Sequence, residues 1–278
     1  MRNLLAIAVL SLVISVGFVG TASAIPAGAL LWVDAGVGVI SDDDGVITWQ
    51  DQSGNHNDAV RHPGTAAGAP QDSFCNFPKN GGTMLPAINF GGASFFDLPT
   101  APFRLAEVTV YAVVRQGDLN NRSPYFSTYS NAHQYGFGFE LDSEGPWLRS
   151  FTSAGDPIYY GDWIAAGCWD WPTLLTNEID APGNLKSMYL KGVLLGSTGV
   201  PGLAYDTAHE TASIGALGQL GVFYMKGDIA EIIVYPSVDA QQRAEVESYL
   251  MNKYFIPEPA TMTLLALGGL ALIRRRRI

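Results

Sequence analysis

The chain has 278 residues, 47% of them hydrophobic and 15% charged, with 16 Lys and Arg against 26 Asp and Glu and a formal net charge of −10 at pH 7. A chain of this size holds one large β domain or two small ones. Its acidity argues against a nucleic-acid partner, because such a surface repels phosphate backbones.

The first 24 residues combine Arg2, an apolar run from Leu4 to Val19 and the triplet Ala22-Ser23-Ala24. A basic start, an apolar helical run and an A-x-A site define a secretory signal peptide, cleaved between Ala24 and Ile25. Residues 25–255 then read as one domain and 256–278 as a separate tail. Taking off 1–24 and 257–278 removes five arginines and one glutamate, leaving 11 basic and 25 acidic residues, a net charge of −14. Such a domain has carboxylates available for hard cations such as calcium.

Short strands are predicted over 29–35, 46–51, 86–92, 94–98, 107–115, 123–129, 135–141, 146–152, 185–197 and 226–235. They are rich in Val, Ile, Tyr, Phe and Trp and are bounded by Gly, Pro, Asn or Asp. In EVTVYAVVR the alternation puts Val108, Val110, Ala112 and Val114 on one face, which needs an opposing sheet. Many strands without strand–helix alternation predict an all-β, two-sheet antiparallel sandwich of the jelly-roll kind. One helix is predicted near the end, over 239–255. Asp239 and Gln242 there have capping-box spacing, and Val246, Tyr249, Leu250 and Lys253 share a face.

The tail reads Pro257-Glu258-Pro259, an apolar segment from Ala260 to Ile273, then Arg274, Arg275, Arg276 and Arg277. Fourteen apolar residues are fewer than the roughly 17–25 that span a bilayer comfortably. The arginines stay cytoplasmic, so the predicted apolar helix is a short tether with the domain outside, held transiently and then cut, with a permanent marginal anchor as the alternative. The two cysteines, Cys75 and Cys168, are bound for an oxidising compartment. A bridge between them would close a long loop, and two buried thiols are the alternative; sequence leaves both open.

Several blocks carry a family resemblance. Residues 30–60, 85–92 with 108–115, 187–197 and 227–254 are together similar to a LamG-like, concanavalin A-type lectin/glucanase domain of exported bacterial proteins. Lys191-Gly192 stands where that family's hairpin turn usually has Asn-Gly. The resemblance implies a jelly roll of one concave and one convex sheet, in a family of carbohydrate binders and adhesion modules. The tail resembles a PEP-CTERM sorting signal, which implies recognition by an exosortase-type processing enzyme.

Candidate site residues follow from composition and from that comparison. Asp51, Asn55, Asn57 and Asp58, with Ser53 and Gly54, give an oxygen-rich loop. It is either a calcium site or a turn whose side chains bond backbone N–H groups, and the turn is favoured. Glu231 could add a calcium ligand, but calcium-bearing relatives often carry Asp just before it, where this chain has Ala230. Trp163, Trp169 and Trp171 crowd one segment and are open to either a core role or a sugar-stacking platform.

WPTLLTNEIDAPGN resembles the Glu-x-Asp-x-x-Glu of family 16 glycoside hydrolases, supplying Glu178 and Asp180. Retaining hydrolysis needs two carboxyl groups about 5–5.5 Å apart, and position 183 is glycine instead of the acid/base Glu. A polar strand end followed by a turn is the plainer reading. No G-x-S-x-G, H-E-x-x-H, phosphate loop or C-x-x-C occurs. The expectation is an exported, non-enzymatic surface or matrix protein that binds polysaccharide or another surface ligand. A degenerate family 16-like hydrolase and a purely structural component are the rivals.

Overall fold

The computed structural model describes residues 25–62, 70–76, 84–118, 122–128, 136–142, 147–152, 155–160, 172–200, 203–205, 211–217 and 222–256. In chain order the strands are β1 (Leu31–Asp34), β2 (Val39–Asp42), β3 (Gly45–Trp49), β4 (Ala59–Arg61), β5 (Gln71–Asn76), β6 (Met84–Gly91) and β7 (Phe96–Leu98). Next come β8 (Glu107–Gln116), β9 (Ser123–Ser127), β10 (Phe137–Asp142), β11 (Trp147–Thr152), β12 (Gly155–Tyr160) and β13 (Thr173–Asp180). The remainder are β14 (Leu185–Leu190), β15 (Val193–Thr198), β16 (Ala212–Ile214), β17 (Ala216–Leu217), β18 (Val222–Tyr224) and β19 (Lys226–Tyr235), followed by one helix, α1 (Ala240–Tyr254).

Two antiparallel sheets face each other. The first has eight strands in the order β15-β14-β13-β8-β19-β6-β5, with β1 also paired to β19; the second has nine, in the order β12-β11-β10-β9-β16-β7-β4-β3-β2. Strands β17 and β18 form a separate hairpin. Between the sheets lies one apolar core. Val108, Val110, Ala112 and Val114 of β8 enter it as the alternation predicts, against Phe96, Phe126, Phe137, Phe139 and Ile214 of the nine-stranded sheet.

The eight-stranded sheet is covered on its other face as well. Tyr111 and Val113 of β8, Leu174, Ile233 and Tyr235 pack there against Val246, Leu250 and Tyr254 of α1. This is why β8 and β19 read as nearly continuous apolar runs: both faces of those strands are buried. Asp239 caps the helix, its Oδ1 accepting from the Gln242 N–H at 2.8 Å. The capping box is only half formed, because the Gln242 side chain accepts from Ser237 Oγ at 3.3 Å.

Residues 185–197 form the hairpin β14–β15 that the family resemblance implies, turned at Lys191 and Gly192 with φ of 49° and 81°. Two successive positive φ values match a type I′ turn, whose twist suits a tight hairpin. Residues 173–180 form a full central strand between β8 and β14, and the turn that holds Pro182 begins only at Ala181. Pro182 therefore breaks no ladder. Strands β2, β4, β5, β12 and β16–β18 were not foreseen; most are short and lack a clean apolar alternation.

Candidate functional site

The Asp51–Asp58 loop closes on itself and on β1. Asp51 Oδ1 accepts from the backbone N–H of Trp32 and of Ser53, both at 2.9 Å. Its Oδ2 accepts from Ser53 Oγ at 2.7 Å and from Asn57 N–H at 3.0 Å. Four bonds fill the lone-pair capacity of a carboxylate. Asp58 Oδ1 accepts from the Asp51 N–H at 2.8 Å, and the amides of Asn55 and Asn57 donate to the carbonyls of Ala29 and Leu30 at 2.8 and 2.9 Å. Asp51, Asn55 and Asn57 thus pin the loop to the start of β1. Among the described residues, no three His, Cys, Asp or Glu side chains group as metal ligands.

Glu231 is fully buried under the helix. Its Oε1 accepts from Trp32 Nε1 at 2.7 Å and Tyr249 OH at 3.1 Å, and its Oε2 from Lys253 Nζ and Tyr254 OH, both at 2.7 Å. Lys253 Nζ also reaches Asp34 Oδ2 at 2.5 Å. Burial pushes the Glu231 carboxyl pKa up, against the pull of the Lys253 ammonium. Burial works the other way on Lys253, but Glu231 and Asp34 outweigh it and keep the amine protonated. This cluster fastens the last turn of α1 to β1 and β19.

Glu178 lies on the same helix-covered face. Arg243 Nη1 donates to its Oε1 at 2.7 Å, Tyr189 OH to its Oε2 at 3.1 Å, and the guanidinium lies 4.1 Å from the Tyr189 ring centroid. Asp180 Oδ1 accepts from the Gly183 N–H at 2.7 Å, closing the turn. The stretch that resembles a hydrolase motif therefore supplies an ion pair beneath a helix and a turn cap.

The outer face of the nine-stranded sheet is built differently. Asp97 alternates with the core residues Phe96 and Leu98, Ser213 with Ala212 and Ile214, and Glu140 with Phe139 and Leu141. These polar side chains consequently point away from the core. Direct pairing aligns Val60, Asp97, Ser213, Ser127 and Gly138 across five strands. The β17–β18 hairpin joins two clusters on this face. Phe223, 40% exposed and at φ 57°, lies under the Arg122 guanidinium at 3.9 Å, and Arg122 Nη2 donates to the buried Glu140 Oε1 at 2.6 Å.

Next to it, Tyr224 lies 6.0 Å from Phe95, which stacks on His62 at 4.4 Å between ring centroids; His62 Nδ1 is 2.7 Å from Asp97 Oδ2. The result is a strip from Glu140 through Arg122, Phe223, Tyr224, Phe95 and His62 to Asp97, in which Glu140 and Phe95 are buried, Phe223 is exposed, and Arg122, Tyr224, His62 and Asp97 are partly exposed. Aromatic rings beside hydrogen-bonding groups suit a sugar ring with hydroxyls. Sequence reasoning missed this strip. The signal was present in FGFEL (137–141) and FDL (96–98), where one carboxylate interrupts an otherwise core-facing strand.

Trp163, Trp169, Trp171 and Cys168 lie outside the described residues, as do Ala22, Ala24, Pro257, Glu258, Pro259 and Arg274 to Arg277; Cys75 sits in β5 with its side chain outside them. Ile25 packs at the edge of the helix-side cluster.

Residues 255–277 match the PEP-CTERM protein-sorting motif. The motif marks an exported chain anchored through its C terminus. No helix among the described residues is long and apolar enough to cross a membrane. No curated protein sequence matches the chain.

Among solved structures, domain 4 of AbnA, an extracellular GH43 arabinanase from Geobacillus stearothermophilus in complex with arabinotriose, is similar at a TM-score of 0.55 and 16% identity, over 80% of this chain and 98% of that one. Trypanosoma rangeli sialidase is similar at a TM-score of 0.53 and 15% identity, over 83% of this chain. The match spans only 34% of the sialidase. At these identities the likeness shows a shared β-sandwich fold.

Proposed function

We propose that the chain is an exported, C-terminally anchored surface protein whose LamG-like sandwich binds a glycan on the outer face of its nine-stranded sheet and catalyses no reaction. The observation that carries this reading is Phe223. A bulky residue in the left-handed region costs about 1–3 kcal/mol, yet this ring is held there partly exposed, fixed beneath Arg122 and beside Tyr224. Rigid rings with fixed polar neighbours recognise sugars at low entropic cost. The sorting motif supports delivery to the cell surface or matrix, with an exosortase-type enzyme as the processing partner. Glu178 is given no hydrolytic role, since its two oxygens hold Arg243 and Tyr189 under the helix.

The test is binding of the full chain in mild detergent to an array of extracellular polysaccharides and oligosaccharides. Arabinotriose belongs on it because the fold neighbour AbnA domain 4 was solved with that sugar. Retention on at least one glycan that is lost in Phe223→Ala supports the reading. Retention unaffected by Phe223→Ala and Arg122→Ala moves the site elsewhere, and no retention leaves a structural component without a sugar ligand.

A further inference from the structure

We propose that the end of the eight-stranded sheet from which the tail departs is a membrane-docking surface, with the lipid headgroup region of the anchoring bilayer as its occupant. The proposal rests on the tail acting as a membrane tether. Helix α1 holds its fold to the sorting motif itself: the N–H groups of Phe255 and Ile256 both donate to the Met251 carbonyl at 2.9 Å. The apolar segment begins at Ala260, four residues after Ile256. Even fully extended, four residues span at most about 14 Å. Ile256 therefore stays within that distance of the bilayer whenever the tail is inserted.

What surrounds Ile256 suits that position. The Lys191 N–H donates to the Leu174 carbonyl at 2.9 Å, Leu174 pairs with Val113, and Val113 pairs with Glu231, which holds Lys253 and Tyr254 of the last helical turn. The β14–β15 turn and the helix end thus lie in one row across the sheet. Lys191 Nζ comes 5.4 Å from the Phe255 ring centroid. Immediately beyond the turn, Val193 is 65% and Leu194 52% exposed, and Ile256 is 46% exposed. Exposed aliphatic side chains beside a lysine with a long stem form an interfacial pattern, the stem in the apolar boundary and the ammonium among headgroups. A tether this short supplies a high effective concentration, so a contact too weak to recruit the free domain still forms.

The test places the photoreactive residue p-benzoylphenylalanine at Val193 and, in a second variant, at Ala240. Ala240 is exposed in the first turn of the same helix, about 21 Å from Tyr254 along a 15-residue helix. Each full chain is reconstituted into phosphatidylcholine vesicles with a minor share of phosphatidylglycerol, floated, irradiated and analysed for covalent lipid adducts. Docking predicts lipid adducts at position 193 and none at 240. Vesicle-bound chain without adducts at 193, equal adducts at both positions, or crosslinks at 193 to a second copy of the chain instead of lipid would each overturn the docking surface while leaving the tether intact. Chain that does not float with the vesicles would overturn the tether, and the docking surface with it.

Discussion

Lys253→Ala should be among the most damaging single changes on the surface of α1. It removes the ammonium that pairs with Glu231 at 2.7 Å and Asp34 at 2.5 Å, while Glu231 stays fully buried. Removing one partner of a buried pair typically costs about 3–5 kcal/mol, because the survivor is left uncompensated. The Lys253 side chain is 29% exposed, so solvent screens part of the interaction and about 2–4 kcal/mol is expected. For a domain of this size that is a fall in Tm of about 5–15 °C by calorimetry. Asp118→Ala, which breaks the Lys226 pair at 2.9 Å with side chains 41% and 31% exposed, should cost under about 1 kcal/mol.

Two further readouts separate charge from packing. Glu231→Gln combined with Lys253→Met removes the fully buried charge and its partner, leaving only the partly solvated Asp34 unpaired, and should lie closer to wild type than Lys253→Ala alone. The Lys253→Ala deficit should also shrink as pH falls: burial already raises the Glu231 carboxyl against the pull of Lys253, so without the ammonium it rises further and takes up its proton in the folded state before the unfolded chain does. A Lys253→Ala deficit no larger than that of Asp118→Ala, and independent of pH, would refute the reasoning.

Alkali should unfold the domain steeply. Burial raises the pKa of Tyr111 and Tyr254, and pushes Tyr235 up to about 12. Their stabilising effect is complete below the unfolded value of about 10 and is lost as pH rises beyond it, at up to about 1.4 kcal/mol per pH unit for each fully buried tyrosine; chemical denaturation between pH 9 and 12, values set by about these pKa limits, reads the slope. Gly227→Ala should destabilise by about 2–4 kcal/mol, since Gly227 sits at φ 142° and a Cβ there would collide with the Arg115 carbonyl; urea unfolding measures it. Chelator should leave Tm unchanged, because Asp51 already accepts four hydrogen bonds from the chain, whereas Asp51→Ala should lower stability by about 1–3 kcal/mol per buried N–H left unpaired.

Much of the scaffold was legible because periodicity reports burial. Val108 to Val114 showed the inner face of β8 directly, and the Asp239 cap marked the start of the helix to within one residue. What periodicity cannot show is which second layer covers a strand. Tyr111 and Val113 are as buried as their alternates only because a helix over 100 residues later packs on them. Glu231 and Glu178 were noticed as carboxylates, but their roles depend on Lys253 and Arg243, which approach only once that helix is in place. The strip on the other sheet draws Arg122, Glu140, Phe223, His62 and Asp97 from five separate segments, so the lone carboxylates of FGFEL and FDL could not show which residues they meet.

The proposed glycan-binding surface is the outer face of the nine-stranded sheet. Its most direct test is titration of the full chain and of Phe223→Ala with whichever glycan the array retains, followed by calorimetry under identical buffer conditions. Saturable binding is expected, weakened up to about tenfold by loss of the ring, in line with the roughly 0.5–1.5 kcal/mol that a stacked aromatic contributes. Equal affinity of the two proteins for the glycan would contradict it.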